Sequence, residues 1–323
     1  MAATGIDDRF VLIHAPAKLN LFLEVKAKRA DGYHELETVM VGVSLFDSLR
    51  FRAKSGGQLD VRCEVSAALG LASQSIPSGS ANIAWQALDR LRMLTRPSQS
   101  LFGGDLEIFK RIPDQAGLGG GSSDAAAALL AARVAWQAPV NDDELSCIAA
   151  EVGSDVPFFL NPTAALCQGR GEIVTPLRCR SPLWFVVVKP PVGLSTRAVY
   201  ASFSPPRSPY FAEELAENLR VRGPYDVGRH MRNRLQSVAE ELAPEIRQAA
   251  QAFAKLGCCG HQMSGSGTAY FGLFPNRMAA HRATVLLRSR LHGWFVCCCH
   301  SLSRRRPIAC RAKLAQELQR DHH

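Results

Sequence analysis

The first sustained alternation in the chain runs from Ala17 to Val25, just after Pro16. Leu19, Leu21, Leu23 and Val25 occupy every second position, which predicts the buried face of a β-strand. The same spacing puts Lys18, Asn20, Phe22 and Glu24 together on the opposite face. Val11-Leu12-Ile13 begins a strand before it, and Asp31-Gly32 marks a turn within Arg29 to His34. Glu37 to Leu45 and Asp47 to Phe51 read as two further strands. The apolar period then lengthens: Ile83, Ala87, Leu88 and Leu91 make one stripe of a helix over Asn82 to Leu94. Leu106 to Ile112 is predicted as strand and Asp124 to Trp136 as helix. Asn141, three residues before Glu144, has the spacing of a capping box and opens a helix to Val152. Gly153 can end that helix, and Pro157 prevents its resumption.

The second half is more varied. Phe185 to Val188 has the character of a buried strand. Ser202 to Arg222, richer in proline, serine and charge, reads as a mobile insertion with one short helix near Ala212 to Asn218. Helices are expected over Met231 to Glu240, Ala243 to Leu256 and Met278 to Arg290. Strands are expected over Ala269 to Phe274 and Trp294 to Cys298. Strands and helices mix without regular βαβ alternation, so the predicted class is α+β, with a boundary between Pro176 and Pro182.

Composition narrows this only slightly. The 323 residues allow two domains, and 47% hydrophobic residues allow a sizeable core. No apolar run reaches the roughly 18 residues that span a bilayer. Met1 to Arg9 carries Asp7 and Asp8 and no apolar stretch, so no secretory signal is read and a cytoplasmic location is expected. The ten cysteines include Cys258-Cys259 and Cys297-Cys298-Cys299, which lack zinc-site spacing and read as reduced, mostly buried thiols. The net charge of +9 suits an anionic substrate. Arg304-Arg305-Arg306, Arg311, Lys313 and Arg320 read as a solvated tail, since no aromatics interleave them as in a nucleic-acid surface.

Candidate chemistry enters at Gly117-Leu118-Gly119-Gly120-Gly121-Ser122-Ser123-Asp124, which runs straight into an alanine-rich helix. Glycines admit close ligand approach, and the helix start offers free N–H groups to phosphate. The spacing is not that of a Walker A loop. Lys18 and Asn20 share a strand face, Asp155 sits in Gly153-Ser154-Asp155-Val156-Pro157-Phe158-Phe159, and a second glycine loop spans Ser264 to Thr268.

These segments together resemble a known family. Pro16-Ala17-Lys18-Leu19-Asn20-Leu21 and Arg29-Ala30-Asp31-Gly32-Tyr33-His34 are similar to the opening of the 4-diphosphocytidyl-2-C-methyl-D-erythritol kinases. The glycine loop resembles the ATP motif of their superfamily, the galactokinase–homoserine kinase–mevalonate kinase–phosphomevalonate kinase (GHMP) group. The Asp155 segment, Gln168-Gly169-Arg170-Gly171-Glu172 and Ser264-Gly265-Ser266-Gly267 follow in the same order, and the likeness spans Leu12 to Leu302.

The resemblance implies a ribosomal-S5-like N-terminal domain over 1–178, a ferredoxin-like C-terminal domain over 179–302 and a basic tail over 303–323. It implies transfer of the ATP γ-phosphoryl group to the acceptor's 2-hydroxyl, a step of the non-mevalonate route to isoprenoid precursors, with Mg2+. Lys18 and Asp155 are the implied catalytic pair. Pro113, Asp114, Gln115, Ala116, Gly117, Leu118, Gly119, Gly120, Gly121, Ser122 and Ser123 are implied to wrap ATP. Asn20, Tyr33, His34, Thr196 and Tyr200 are implied to bind the acceptor, with Tyr33 and Tyr200 stacking on its cytosine. Metal ligands stay unassigned. The expected partner is a small molecule, not nucleic acid or membrane, and the expected state a monomer or weak homodimer. A mevalonate- or homoserine-type kinase, a nucleic-acid-binding protein and a non-catalytic nucleotide sensor are the alternatives. Two segments depart from the family pattern: Asn233-Arg234-Leu235-Gln236 lacks two carboxylates, and Lys189-Pro190-Pro191 replaces a His-Pro-Gly turn.

Overall fold

In the computed structural model, the described residues are 10–66, 77, 79–95, 102–204, 206, 208–303 and 311–313. The reading of Met1 to Arg9 and of Arg304 to Arg306 and Arg320 lies outside them. The chain opens with β1 (Phe10–Lys28) and β2 (His34–Lys54), followed by β3 (Leu59–Val65), α1 (Ile83–Leu94) and β4 (Gly103–Lys110). Next come α2 (Gly120–Ala135), α3 (Asp142–Val152), α4 (Val156–Leu160), β5 (Ala164–Gly169) and β6 (Ile173–Pro176). The second half contains β7 (Trp184–Lys189), α5 (Thr196–Ala201), α6 (Glu213–Val221), α7 (Pro224–His230), β8 (Arg232–Asn233), α8 (Gln236–Leu242) and α9 (Pro244–Phe253). It closes with β9 (Gly260–Met263), β10 (Tyr270–Phe274), α10 (Arg277–Arg290), β11 (Phe295–His300) and β12 (Arg311–Lys313).

Two sheets organise these elements. The larger has the path β12-β1-β2-β4-β3, with β5 and β6 extending from β2 and β8 from β1. The smaller has the order β11-β7-β10-β9, all antiparallel. Numbered within itself that is 4-1-3-2, the ferredoxin-like order expected from the resemblance. The α+β reading therefore stands.

Three apolar layers hold the sheets. One face of the larger sheet packs on α1 and α2, where Ala125 to Ala128, Ala131 and Ala132 are buried. Small side chains let that helix lie close to its neighbours. Between the sheets, Leu19, Val39 and Val41 meet Phe185, Val187 and Phe271. On the far face of the smaller sheet, Val186 and Val188 pack with Ile246, Phe253 and Leu287. Strand β7 is thus apolar on both faces, which is why Phe185 to Val188 reads as an unbroken apolar run.

Four expectations change. The two strands read over Glu37 to Leu45 and Asp47 to Phe51 are one 21-residue strand, β2, paired to β1 through register shifts instead of a break. The face assignment along β1 fails beyond Asn20. A register shift between Asn20 and Phe22 puts Leu21 and Phe22 in the inter-sheet layer, while Leu23 and Val25 belong to the far one. Such a bulge swaps faces, so Lys18, Asn20 and Leu23 all line one cleft. The predicted helix over Met231 to Glu240 is instead a two-residue strand, β8, followed by α8. Ser202 to Arg222 is tied to the core: Leu215 and Leu219 of α6 are buried between the sheets, and the Ala212 N–H donates to buried Glu37 at 2.7 Å.

The segment past Leu302 also has order, since Arg311–Lys313 pairs antiparallel with Phe10–Leu12. The nine described cysteines are free thiols: Cys167 and Cys299 are buried, Cys147 is exposed and the rest are half-buried. Among the described residues no helix is long and apolar enough to cross a membrane.

Candidate active site

Strand β4 delivers the chain into the glycine loop, and α2 begins inside that loop at Gly120. Sequence reasoning starts this helix at Asp124 because glycines disfavour helix. The structure starts it earlier because Gly119, at φ +71°, makes the left-handed turn that aims the next residues into helix. The free N–H groups of the first turn therefore belong to the glycine motif itself.

Two glycines are required by contact as well as by angle. A Cβ on Gly117, at φ +70°, would lie 2.1 Å from the Ser264 carbonyl oxygen. One on Gly119 would lie 2.7 Å from the Phe159 ring. The loop is also stitched to its surroundings. The Lys18 N–H donates to the Leu118 carbonyl at 2.9 Å, the Ser264 hydroxyl to the Gly117 carbonyl at 3.0 Å, and the Ala269 N–H to the Ala116 carbonyl at 3.0 Å. The segment that departs from the family pattern braces the second glycine loop. Asn233 Nδ2 donates to the carbonyls of Met263 and Gly265, both at 2.8 Å. Its neighbour Arg234 pairs with buried Glu24 at 2.8 Å.

Beneath the loop lies a buried charge cluster. Lys110 Nζ pairs with Asp47 and, at 2.6 Å, with Asp124. The other Asp47 oxygen accepts the Ile112 N–H at 2.8 Å, fixing the chain as it enters the loop. Burial raises the Asp124 carboxyl to about 7, helped by Asp47 and opposed by Lys110. Burial pushes Lys110 down, but the two carboxylates outweigh it and hold its ammonium above the usual lysine range. Ser123 Oγ and Asp124 Oδ1 are buried without a hydrogen-bond partner among the described residues.

Lys18 and Asp155 meet across the cleft. Lys18 Nζ is 3.7 Å from Asp155 Oδ2 and also contacts Asn20 Oδ1. Asn20 is oriented by a 2.8 Å bond from its Nδ2 to Thr38 Oγ1. Burial lowers the Lys18 pKa, and the Asp155 charge beside it opposes that shift without cancelling it. Asp155 occupies the position before α4 yet makes no side-chain capping bond. Its carboxylate, about a third exposed, is thus directed to the cleft rather than spent on the helix. Cys167 lies under this pair, its thiol pushed up by burial and then by Asp155.

The cleft has a volume of about 1010 Å³, room for two small-molecule ligands. Its wall brings together Lys18, Asn20, Tyr33, His34, Asp155, Thr196, Tyr200 and every loop residue from Pro113 to Ser122. Ser123 points instead into the interior. At one end His34 and Tyr200 pack at 5.1 Å between ring centroids and 32° between planes. Burial, then Lys28, lowers the His34 pKa, which keeps the imidazole neutral. Burial, then Asp155, raises the Tyr200 phenol. Tyr33 does not face Tyr200 as a closed sandwich; it is exposed, with the Arg170 guanidinium 4.9 Å from its ring centre.

Ser154, Arg170, Gly265 and Ser266, which belong to motifs read from sequence without a stated role, also line the cleft, as do Lys28, Lys110 and Arg197, which were not singled out. Arg170 had a signal, since it lies in Gln168-Gly169-Arg170-Gly171-Glu172. Lys28 and Arg197 had none, because isolated charges resemble solvated surface. Thr196 Oγ1 and Ser266 Oγ lie 2.8 Å apart, joining α5 to the second glycine loop.

Comparison with known proteins gives the family. The family model described as GHMP kinases N terminal domain matches residues 82–162, and that described as GHMP kinases C terminal matches 215–291. A 4-diphosphocytidyl-2-C-methyl-D-erythritol kinase of Shouchella clausii is 38% identical over 84% of this chain and 88% of its own length. The kinase of the same name from Pelotomaculum thermopropionicum is 36% identical over 85% of this chain and 92% of its own. A crystal structure of 4-(cytidine 5'-diphospho)-2C-methyl-D-erythritol kinase superposes with a TM-score of 0.71 and 33% identity, covering 90% of this chain and 100% of that one. A homoserine kinase from Cytophaga hutchinsonii shares the fold, with a TM-score of 0.72 at 16% identity over 94% of this chain and 97% of that one.

Proposed function

The chain belongs to the 4-diphosphocytidyl-2-C-methyl-D-erythritol kinases, a family of GHMP kinases, and on that footing we propose how its cleft performs the reaction. The enzyme is an ATP-dependent phosphotransferase acting on the 2-hydroxyl of that acceptor. The acceptor oxygen attacks the γ-phosphorus, the bond to the β-phosphate oxygen breaks, and ADP leaves. Such transfers depend on positioning and charge more than on covalent help.

The observation that carries the assignment of roles is the Lys18–Asp155 pair, 3.7 Å apart on the wall shared with the glycine loop. Asp155 accepts the proton of the attacking hydroxyl or orients that hydroxyl. Lys18, a compact positive charge beside Asp155, steadies the charge that builds on the transferring group. Asn20, already in contact with Lys18, offers its amide to the acceptor. Pro113 to Ser123 receives the triphosphate on backbone N–H groups. Neutral His34 hydrogen-bonds the cytosine edge, Tyr200 supplies the stacking surface beside it, and Tyr33 with Arg170 closes the outer side. Thr196 contacts the acceptor between these rings and the second glycine loop.

Magnesium bound with ATP would supply neutralisation of the phosphate charge. The donor set fits a hard cation at one position: Ser122, on the cleft wall, would offer its hydroxyl, whereas Ser123 is turned into the interior. Asp47 does not fit, because Lys110 and the Arg111 and Ile112 N–H groups already hold both its oxygens; Asp124 gives one oxygen to Lys110, and its other is buried away from the cleft wall. In the same reading the chain divides near residue 178, acts in the cytoplasm, and works as a monomer or weak homodimer.

A substrate panel followed by ADP release tests this reading. Turnover is expected with the diphosphocytidyl acceptor and not with mevalonate or homoserine; the reverse pattern would refute it. Tyr200→Ala is expected to raise the acceptor KM about tenfold or more, from a lost stacking contact of roughly 1–3 kcal/mol. The ATP KM should stay nearly constant. Equal changes in both would remove Tyr200 from base recognition.

A further inference from the structure

Lys189, the last residue of β7, is only 2% exposed and takes no part in the proposed chemistry. A buried ammonium is costly to hold, so its partners need an account. Its Nζ donates to the Val192 carbonyl at 3.0 Å. Thr268 Oγ1 donates to the same oxygen at 2.9 Å. One carbonyl thus joins the end of β7, the turn after it and the second glycine loop. Burial lowers the Lys189 pKa, and the charge of Asp114, on the cleft wall, opposes that shift.

The turn in its turn presses on the nucleotide loop. A Cβ on Gly193 would lie 2.5 Å from Gln115 Oε1, so the two segments touch. Gln115 sits at φ +48°, a left-handed conformation that non-glycine residues keep only when their surroundings enforce it. Its carbonyl accepts the Thr268 N–H at 3.4 Å, and the next carbonyl, of Ala116, accepts the Ala269 N–H. Gln115 is therefore held from one side by Thr268 and from the other by Gly193. Both holders converge on the Val192 carbonyl that Lys189 fixes.

We propose that Lys189 is a positioning residue for ATP: through Val192 it clamps the 190–193 turn and Thr268 around Gln115, setting the nucleotide loop in its binding shape. Lys189 does not line the cleft, so it acts through this clamp and by offsetting Asp114 at the loop's edge. The inference rests on the reading of Pro113 to Ser123 as the nucleotide loop.

Lys189→Met is expected to weaken ADP binding, measured by calorimetry, and to raise the ATP KM, each about tenfold, the scale of one lost hydrogen bond from a charged donor. The acceptor KM and kcat should stay within about twofold. Lys189→Gln keeps a donor for the Val192 carbonyl and should recover most of the loss. Adding Asp114→Asn to Lys189→Met should recover the part due to charge. Unchanged ADP binding in Lys189→Met overturns the proposal. So does an equal loss in ATP KM, acceptor KM and kcat. If Lys189→Met does not fold, Thr268→Val, which removes the other donor to the Val192 carbonyl, decides: it must weaken ADP binding without changing the acceptor KM, and unchanged ADP binding overturns the clamp. Gly117→Ala separates the two layers of the argument. If it too leaves ADP affinity unchanged, the loop assignment fails; if it alone weakens ADP binding, only the role of Lys189 fails.

Discussion

Asp155→Asn is expected to bind ATP normally and to lose about a thousandfold in kcat, within the range for a missing positioned proton acceptor. The change is close in size and shape, so packing is not the cause. It removes the acceptor from the reaction line, and it removes the negative partner 3.7 Å from Lys18 Nζ. That second loss gives a further signature. Burial pulls the Lys18 pKa down and Asp155 pulls it up. Without Asp155 the lysine releases its proton at lower pH, so residual activity should decline with rising pH earlier than in the parent enzyme. Steady-state rates across a pH series, with ADP binding measured in parallel, test both parts. Near-parental turnover would take Asp155 out of the mechanism. Loss of ADP affinity equal to the loss of rate would instead make it a residue of the nucleotide site.

Gly117→Ala is expected to abolish useful nucleotide binding. The new Cβ would need to occupy space 2.1 Å from the Ser264 carbonyl oxygen, and φ is +70°. Overpacking and left-handed strain together cost about 3 kcal/mol. The backbone cannot relieve this locally, because the neighbouring Leu118 carbonyl is bonded to the Lys18 N–H. A shift of the loop of about 1 Å carries a penalty of about a hundredfold in kcat/KM. The expected result is at least that loss in kcat/KM for ATP, together with weaker ADP binding. Parental ADP affinity in a folded variant would show that this loop does not hold the nucleotide.

Sequence made the larger part of the architecture readable. The helix over Asn82 to Leu94 and the capped helix from Asn141 both form where local chemistry puts them. The failures have a common cause. At the bulge near Leu21, at the start of α2 and at α6, pairing or packing with distant chain decides the outcome. The bulge is invisible in β1 alone, since it exists only against β2. Likewise, α6 looks like a loose surface insertion until Leu215 and Leu219 find the space between the sheets.

The wall of the candidate site was legible in its motifs and illegible in its supports. Lys18, Asp155 and the glycine loop stand out because unusual residues cluster. Lys110, Asp47 and Lys189 do not, because a buried ion pair or a buried ammonium is written with the same letters as a solvated one. Nothing local separates Lys189 from a surface lysine; its burial depends on Val192 and Thr268, three and 79 positions away.

The bulge in β1 also limits how this enzyme can be re-engineered. Lys18 is tied to the first glycine loop, and Phe22 and Leu23 are tied to β8. Trimming one residue at Leu21 would restore regular alternation, and then one of these two attachments must face the wrong layer. Variant libraries and chimaeras can therefore change the identities of residues 19–22 but must keep their number.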